Sequence, residues 1–335
     1  TRPRITLSFS SLPELIIDCL LFHDSKVQAI KFDDISEHVV HPDRFIWVEM
    51  KTPDSQTVAK LGEEFGLHEL ALEDAISSHQ RPKLEEYGEH LFIAVRTVQL
   101  WDDRIETGET HLFAGSNFVI AIRHGAGSGY ERVVERLQAG KNGIQPGAPY
   151  ALYLVLDFIV DQFKPVMDGL HERFQSLESL IVGGSELGRA NLERLYALKR
   201  ELTLLQDAAE PIQDITQDLI RVHPEFVVRE LKAYYRDVHD HAVRISTAIG
   251  HLRNSASDAM QFHLASLSVK QSESVQKLAG WGAVLALPTV IFSLYGMNFD
   301  YMPELKWPWA YPALLLATGV AVLVLYRHLK RRGWI

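Results

Sequence analysis

Cysteine is almost absent from this chain of 335 residues, which has one, Cys19. A single cysteine excludes an intramolecular disulfide framework and a cysteine-ligated zinc finger. A basic surplus is missing as well, because 43 Asp and Glu outnumber 34 Lys and Arg, for a formal net charge of −9. This acidity argues against nucleic acid as a partner. The chain also lacks a nucleophile triad, a phosphate-binding loop and a dinucleotide-binding fingerprint, so we expect no enzyme activity.

Charge is missing altogether from two stretches in the last part of the sequence. Residues 278–295 are 18 positions without a charged side chain, and residues 307–326 are 20 such positions. A helix needs about 20 apolar residues to cross a hydrocarbon core of roughly 30 Å. Both runs are therefore predicted to span a lipid bilayer. The 11 residues of 296–306 are too few to do more than reverse the chain, which predicts an antiparallel hairpin.

The flanking charges predict how this hairpin is oriented. Residues 327–335 carry Arg327, Lys330, Arg331 and Arg332, whereas the loop between the runs carries Lys306 alone. Because loops rich in Lys and Arg stay on the inner side, we expect a multi-pass protein of the plasma (inner) membrane with cytoplasmic N- and C-termini. The acidity belongs to the rest of the chain, since residues 1–277 have a net charge of −12 and residues 278–335 of +3.

The sequence before the hairpin divides into two regions. Residues 1–149 are predicted to form a cytoplasmic α/β domain, because β-branched and aromatic runs alternate with helical patterns. Strands are expected at 45–50, 90–100 and, as a hairpin around a Gly-Ser-Asn turn, 112–124, with helices at 55–67 and 68–78.

Residues 150–277 are predicted to form a cytoplasmic helical region that includes a stalk helix. Apolar residues recur at helical spacing from about Tyr150 to Val182, from about Leu187 to Val222, and from Glu225 onward. Breaks are expected at Gly183-Gly184 and His223-Pro224. The third segment has no proline before Pro288, so a helix from Glu225 to Tyr295 would be 71 residues, or about 105 Å, long. A break near Gly250 or Gly280 is the alternative.

Small and hydroxylated residues follow one face of the first apolar run. Their spacings are 3, 4, 3, 4 and 3 residues, which keeps them on a single helical face. They are Ala279, Gly282, Ala286, Thr289, Ser293 and Gly296. Such a stripe is either a close-packing seam between helices or the lining of a narrow aqueous path, where large side chains would block passage. In the second case several copies must surround an axis, because one hairpin cannot enclose a pore.

The loop after the first run carries the motif Tyr295-Gly296-Met297-Asn298, followed by Met-Pro-Glu-Leu at 302–305. With these motifs the sequence resembles the CorA family of divalent-cation channels. The segments LEDAISSHQRPKLEEY (72–87) and YRDVHDHAVRI (235–245) extend the resemblance over nearly the whole chain. The resemblance implies a funnel-shaped homopentamer that takes up Mg²⁺, in which the stalk helix continues into a pore-lining first span and the second span faces lipid.

The resemblance also assigns roles to individual residues. Gly296, Met297 and Asn298 would form the selectivity filter at the outer mouth, where the neutral Asn298 amide can accept hydrogen bonds from water held by Mg²⁺. A helix C-cap is the alternative role for Asn298. Val275 and Leu278 would form an apolar gate. The residues implied to line the pore are Ser272, Val275, Leu278, Gly282, Ala286, Thr289 and Ser293.

A cytoplasmic sensor for regulatory Mg²⁺ is implied at the boundary between subunits. Asp74 and Asp237 match the acidic pair of that site, and Glu73 and His241 are weaker candidates for a second one. A bound divalent ion would neutralise the acids and favour the closed state, and loss of the ion would loosen the ring. A surface salt bridge is the alternative for each of these acids.

Two acidic residues are expected on the outer loop. Asp300 and Glu304 either raise the cation concentration at the mouth or are solvated charges, one of them paired with Lys306. The leading interpretation is thus a Mg²⁺ channel, with Co²⁺ and Ni²⁺ as further ions. A Zn²⁺ transporter of the same superfamily and a membrane-tethered divalent-metal sensor are the alternatives.

Overall fold

The computed structural model describes residues 17–24, 26–78, 80–102, 104–140, 144–182, 189–298 and 302–335. It divides into two compact units, one ending at Ser257 and the other comprising Asp258–Ile335.

The first unit is built on a seven-stranded sheet. Its strands are β1 (Ile17–His23), β2 (Lys26–Ala29), β3 (Phe45–Lys51), β4 (Lys83–Tyr87), β5 (His90–Trp101), β6 (Arg104–Ala114) and β7 (Phe118–Gly125). The order is β2-β1-β3-β7-β6-β5-β4, and β3 and β7 are parallel while the other neighbours are antiparallel. The predicted strands are confirmed. The predicted hairpin is β6–β7, whose turn is closed by the Gly115 amide donating to the Phe118 carbonyl at 3.0 Å.

Helices cover both faces of this sheet. Short helices α1 (Ser36–Val39), α2 (Ser55–Phe65) and α3 (Glu69–Ile76) come from the first half of the unit. Alternate β3 residues Ile46, Val48 and Met50 point into a core shared with α2 and α3. Between them Trp47 points the other way and meets the ring of Tyr130 edge-on, 6.1 Å away. This alternation is the period of two expected of a strand covered on both sides.

The predicted helices at 55–67 and 68–78 correspond to α2 and α3. The first is capped by Asp54, which accepts a hydrogen bond from the Thr57 amide at 2.7 Å. It ends at Gly66, whose φ of +64° is the left-handed conformation that glycine adopts readily.

Longer helices follow the sheet. They are α5 (Ala148–Val182), preceded by the short α4 (Glu131–Ala139), then α6 (Arg189–Val222), α7 (Lys232–Tyr295) and α8 (Ala310–Arg331). Both α5 and α6 pack on β5. The expected break at Gly183-Gly184 and the expected start of the second helix at Leu187 lie outside the described residues.

The third helix is continuous through Gly250 and Gly280 to Tyr295, so neither alternative break occurs. The prediction that it begins at Glu225 is wrong, because 225–231 form turns and α7 starts at Lys232. In these turns the amides of Phe226 and Val227 both donate to the His223 carbonyl. Both side chains are buried, so this stretch packs in the first unit as a turn before the helix begins.

The described residues contain two helices that are long and apolar enough to cross a membrane, α7 and α8, and most of each apolar window is exposed. The fold therefore consists of an α/β unit and a long helix, α7, whose apolar end is followed by a second apolar helix, α8.

Candidate functional site

The motif at the end of α7 lies just beyond the helix. Tyr295 is the last helical residue, and the Gly296 amide still donates to the Phe292 carbonyl at 2.9 Å. Met297 and Asn298 follow and are exposed. The backbone of Asn298 does not take the left-handed conformation that is common just beyond a helix C-terminus.

Gly296 has no steric need to be glycine within one chain. Its φ is not positive, and a Cβ placed there would lie 3.4 Å from the Phe292 carbonyl oxygen and 3.5 Å from that of Ser293. These are ordinary van der Waals distances. Among the described residues, nothing would clash with a side chain at this position.

The outer loop is described in part. Asp300 lies outside the described residues. Glu304 lies in a short 3-10 helix, Pro303–Lys306, where its carbonyl accepts a hydrogen bond from the Trp307 amide at 3.1 Å. Glu304 and Lys306 are thus neighbours on the same turn.

The residues implied to line the pore form one exposed stripe along α7. All seven, from Ser272 to Ser293, are exposed in a single chain, and the largest of them, Leu278 and Val275, have exposed fractions of 74% and 61%. We call this face the small-residue stripe.

The opposite face of α7 is covered. At about 100° per residue, Gly280 and Val284 point away from Gly282 and Ala286, and both are buried. Trp281 contacts the ring of Tyr326 on α8, with ring centroids 6.2 Å apart. Gly280, Trp281 and Val284 therefore lie on the side of α7 that contacts the end of the chain and α8, and the small-residue stripe is exposed.

Pro288 lies within α7 without interrupting it. A proline has no amide hydrogen, so the carbonyl four residues earlier loses its helical partner. Next to it the Thr289 hydroxyl donates to the Leu285 carbonyl at 2.8 Å. With its hydrogen used in this bond, the Thr289 hydroxyl oxygen can still accept a hydrogen bond on the stripe.

In the first unit, Asp74 is held by a lysine. Lys83 on β4 lies with its Nζ 2.7 Å from Asp74 Oδ2 and 2.7 Å from Glu85 Oε2. Burial lowers the pKa of Lys83, but the hydrogen bonds to the two carboxylates outweigh that effect and raise the pKa overall. A metal ion bound to Oδ2 of Asp74 would therefore have to displace this ammonium group.

Asp237 and His241 are brought together on α7. The His241 Nε2 atom lies 3.6 Å from Asp237 Oδ1, and the side chain of Asp237 is 63% exposed. Asp161 on α5 lies nearby, and its pKa is raised by burial first, then by the negative charge of Asp157. Asp157 is itself paired with Arg136 at 2.6 Å.

The four sensor candidates are not assembled into one site within a chain. Glu73 is exposed on α3, and the described residues contain no group of three or more side chains able to hold a metal ion. Sequence reasoning missed the Lys83 contact, although Lys83 lies in the HQRPK segment. It also missed Asp157 and Asp161, whose signal was two acids four residues apart in an apolar helix.

Comparison with known proteins finds matches to both the sequence and the fold of this chain. Residues 42–331 match the family described as CorA-like Mg²⁺ transporter protein. The cobalt/magnesium transport protein CorA of Thermotoga maritima is 30% identical over 284 residues, covering 84% of this chain and 80% of its own. The complete structure of the CorA magnesium transporter from Methanocaldococcus jannaschii superposes with a TM-score of 0.79 at 19% identity, covering 97% of this chain and 100% of the other. The full-length CmaX protein superposes with a TM-score of 0.76 at 19% identity, covering 94% and 98%. With a matching family, a relative aligned over most of both chains and the same fold, this chain belongs to the CorA-like Mg²⁺ transporter family, whose members are transporters and not enzymes.

Proposed function

We propose that this chain is one subunit of a homopentameric Mg²⁺ channel whose pore is lined by the small-residue stripe of α7. The observation that carries the proposal is that the stripe is exposed along its length, while Gly280 and Val284 on the opposite face are buried. A close-packing seam with α8 would require the small residues on the covered face. An exposed stripe that ends at Gly296-Met297-Asn298 instead fits a lining shared by several copies around an axis.

Each segment of the chain has its own place relative to the membrane in this proposal. Residues 1–149 and 150–277 form the cytoplasmic part, 278–295 the pore-lining span, 296–306 the outer loop, 307–326 the second span and 327–335 the basic cytoplasmic tail. Lys and Arg near the end of α8 keep that end on the inner side.

At the outer mouth, Gly296, Met297 and Asn298 from each subunit form the selectivity filter. Mg²⁺ loses its water reluctantly, and the exposed Asn298 amide offers a carbonyl oxygen to that water without the tight binding of a carboxylate. Asp300 and Glu304 raise the cation concentration at this entrance.

Toward the inner side, Val275 and Leu278 form an apolar constriction that closes by dewetting. Their large exposed fractions in a single chain support this role, because an apolar side chain left open to water is stabilised when a ring of copies buries it.

Regulation uses Mg²⁺ held by the acids of the first unit. Carboxylate oxygens suit this hard cation, and the exposed Asp237 is available to a neighbouring subunit. The described part of one chain gathers no complete site. Assembly would bring Asp74 of one subunit and Asp237 of the next together, with Glu73 and His241 contributing to a second position. Mg²⁺ at this boundary replaces Lys83 as the partner of Asp74 and stabilises the closed ring.

Flux into proteoliposomes containing the purified chain tests the function. Mg²⁺, Co²⁺, Ni²⁺ and Zn²⁺ are supplied in turn, with and without a proton gradient. Mg²⁺ entry that is lost in Asn298→Ala is the expected result. Entry of Zn²⁺ in preference to Mg²⁺ would identify a Zn²⁺ transporter, and no entry of any ion, with Mg²⁺ still bound, would identify a tethered sensor.

A further inference from the structure

The residues after α8 turn back onto α7. The helix ends with the Trp334 amide donating to the Leu329 carbonyl at 3.0 Å and the Gly333 amide donating to the Lys330 carbonyl at 3.1 Å. Gly333 has a φ of +71°. These two bonds with a left-handed glycine form a Schellman motif, which reverses the chain at a helix end. Trp334 and Ile335, which we call the tail segment, are directed by this turn.

The tail segment rests on Gly280. A Cβ added to Gly280 would lie 2.8 Å from the Trp334 carbonyl oxygen and 3.0 Å from Cγ1 of Ile335. The first distance is shorter than real Cβ contacts, so only glycine permits this approach. The effect is specific to this position, since a Cβ on Gly250 of α7 or Gly319 of α8 would meet nothing within 4 Å.

Neighbouring contacts hold the end of α8 in the same place. The Trp281 ring contacts Tyr326, and the Lys330 ammonium lies 5.8 Å from the centre of the Tyr326 ring. Leu329, whose carbonyl closes the turn, is 9% exposed. The position of the tail segment is therefore fixed by the turn at Gly333 and by the contact between Trp281 and Tyr326.

The location of this contact gives it a consequence for the pore. Gly280 faces away from the small-residue stripe and is two residues from Leu278. If the constriction is to widen, α7 must move away from the pore axis, which is the direction in which the tail segment already touches it. Because the tail segment meets Gly280 at contact distance, α7 cannot move in that direction without displacing the tail segment.

We propose that the tail segment is a regulatory stop, which by contact with Gly280 opposes the outward movement of α7 that opens the constriction. This inference rests on the proposed function, because it takes Val275 and Leu278 as the gate.

Cysteine labelling tests whether the tail segment sits where the structure places it. Ile335→Cys is labelled with a polar maleimide in the full chain, alone and combined with Gly280→Leu or Gly319→Leu. Cys19 does not compete, because it is buried and burial raises the pKa of its thiol to about 12. Gly280→Leu should displace the tail and speed labelling several-fold, while Gly319→Leu should not. Equal rates in all three would overturn the proposal.

Flux tests the regulatory role separately. A chain ending at Gly333 should pass Mg²⁺ several-fold faster than wild type when Mg²⁺ inside the liposome is high, with the same oligomer size. Wild-type flux in the shortened chain would refute the stop. Absence of flux in the wild type would refute the channel and the regulatory role together, while the labelling rates would still show whether the tail contacts Gly280.

Discussion

The ammonium of Lys83 lies 2.7 Å from Oδ2 of Asp74, the residue proposed to bind regulatory Mg²⁺. The same ammonium contacts Glu85 at 2.7 Å, so it stays nearby when either carboxylate is taken. Under the proposed function, the lysine and the metal ion would compete for Asp74. That competition would set how much Mg²⁺ is needed to close the ring.

Removing the ammonium group of Lys83 should increase the apparent affinity of the sensor for Mg²⁺. In Lys83→Gln, Mg²⁺ should protect the oligomer from proteolysis at a concentration about fivefold lower, the ratio given by ~1 kcal/mol for a partly exposed ion pair. The measurement is a Mg²⁺ titration of protease resistance. Lys60→Gln is the control, because Lys60 pairs with Asp33 in another part of the sheet unit. A titration that does not move, or moves to higher Mg²⁺, would count against Asp74 as a ligand.

Asp237 should act from the other side of the boundary. Asp237→Asn should raise the Mg²⁺ concentration that protects against proteolysis by about tenfold or more, since it removes a charged ligand that His241 alone cannot replace. The change keeps the shape of the side chain and should leave the oligomer intact by size-exclusion chromatography. Asp258→Asn provides an acid on the same helix outside the proposed site. Protection identical to wild type would remove Asp237 from the sensor.

The outer motif gives a prediction about conduction. Asn298→Ala should reduce Mg²⁺ flux at least tenfold while leaving the pentamer intact, because it removes the carbonyl that holds the hydrated ion. Asn254→Ala, at an exposed position of α7, is the control. Wild-type flux through Asn298→Ala pentamers would show that selection occurs elsewhere.

Much of this architecture could be predicted from the sequence because it depends on local properties. The absence of proline between Glu225 and Pro288 predicted a long uninterrupted helix, and α7 continues through both glycines where a break was considered. Its start was misplaced because Phe226 and Val227 are buried in a turn before the helix. The spacing of apolar residues does not distinguish such a buried turn from the first turn of a helix.

The contacts that modify the site could not be predicted in this way. The family resemblance indicated Asp74, but which cation pairs with it depends on how α3 sits against β4. The Gly280 contact depends on the turn at Gly333, far away in sequence, and glycine in an apolar helix is expected equally for close helix packing. Local patterns thus predicted β3, β5, the β6–β7 hairpin and the long helices, but not the strands β1, β2 and β4. The partners that compete for the candidate residues required coordinates.

The small-residue stripe predicts where bulk is tolerated. Ala286→Leu should reduce Mg²⁺ flux at least tenfold, because five added isobutyl groups would meet at the axis. Ala317→Leu, at an exposed position of α8, makes the same change on the helix proposed to face lipid and should leave flux within about twofold of wild type. The check is flux normalised to pentamer content. Loss of flux in both variants would indicate a general packing defect and not a pore.

A buried histidine predicts how the sheet unit responds to acid. His111 is fully buried, with its Nε2 atom 3.5 Å from Glu109 Oε2 and its ring 5.1 Å from that of His124. Burial first, and then His124, lower its pKa below the ordinary 6.5. As the pH falls below 6.5, His111 becomes protonated in the unfolded chain but stays neutral in the folded chain. The free energy of unfolding is therefore highest above pH 6.5 and decreases as the pH drops through 6.5 toward the lower pKa of the folded state.

Thermal unfolding of the full chain should shift to lower temperature between pH 7.5 and pH 5.5. His111→Leu, which is close in volume, should weaken this dependence, while His41→Leu at an exposed position should not. An equal pH dependence in all three proteins would mean that other groups account for the acid sensitivity.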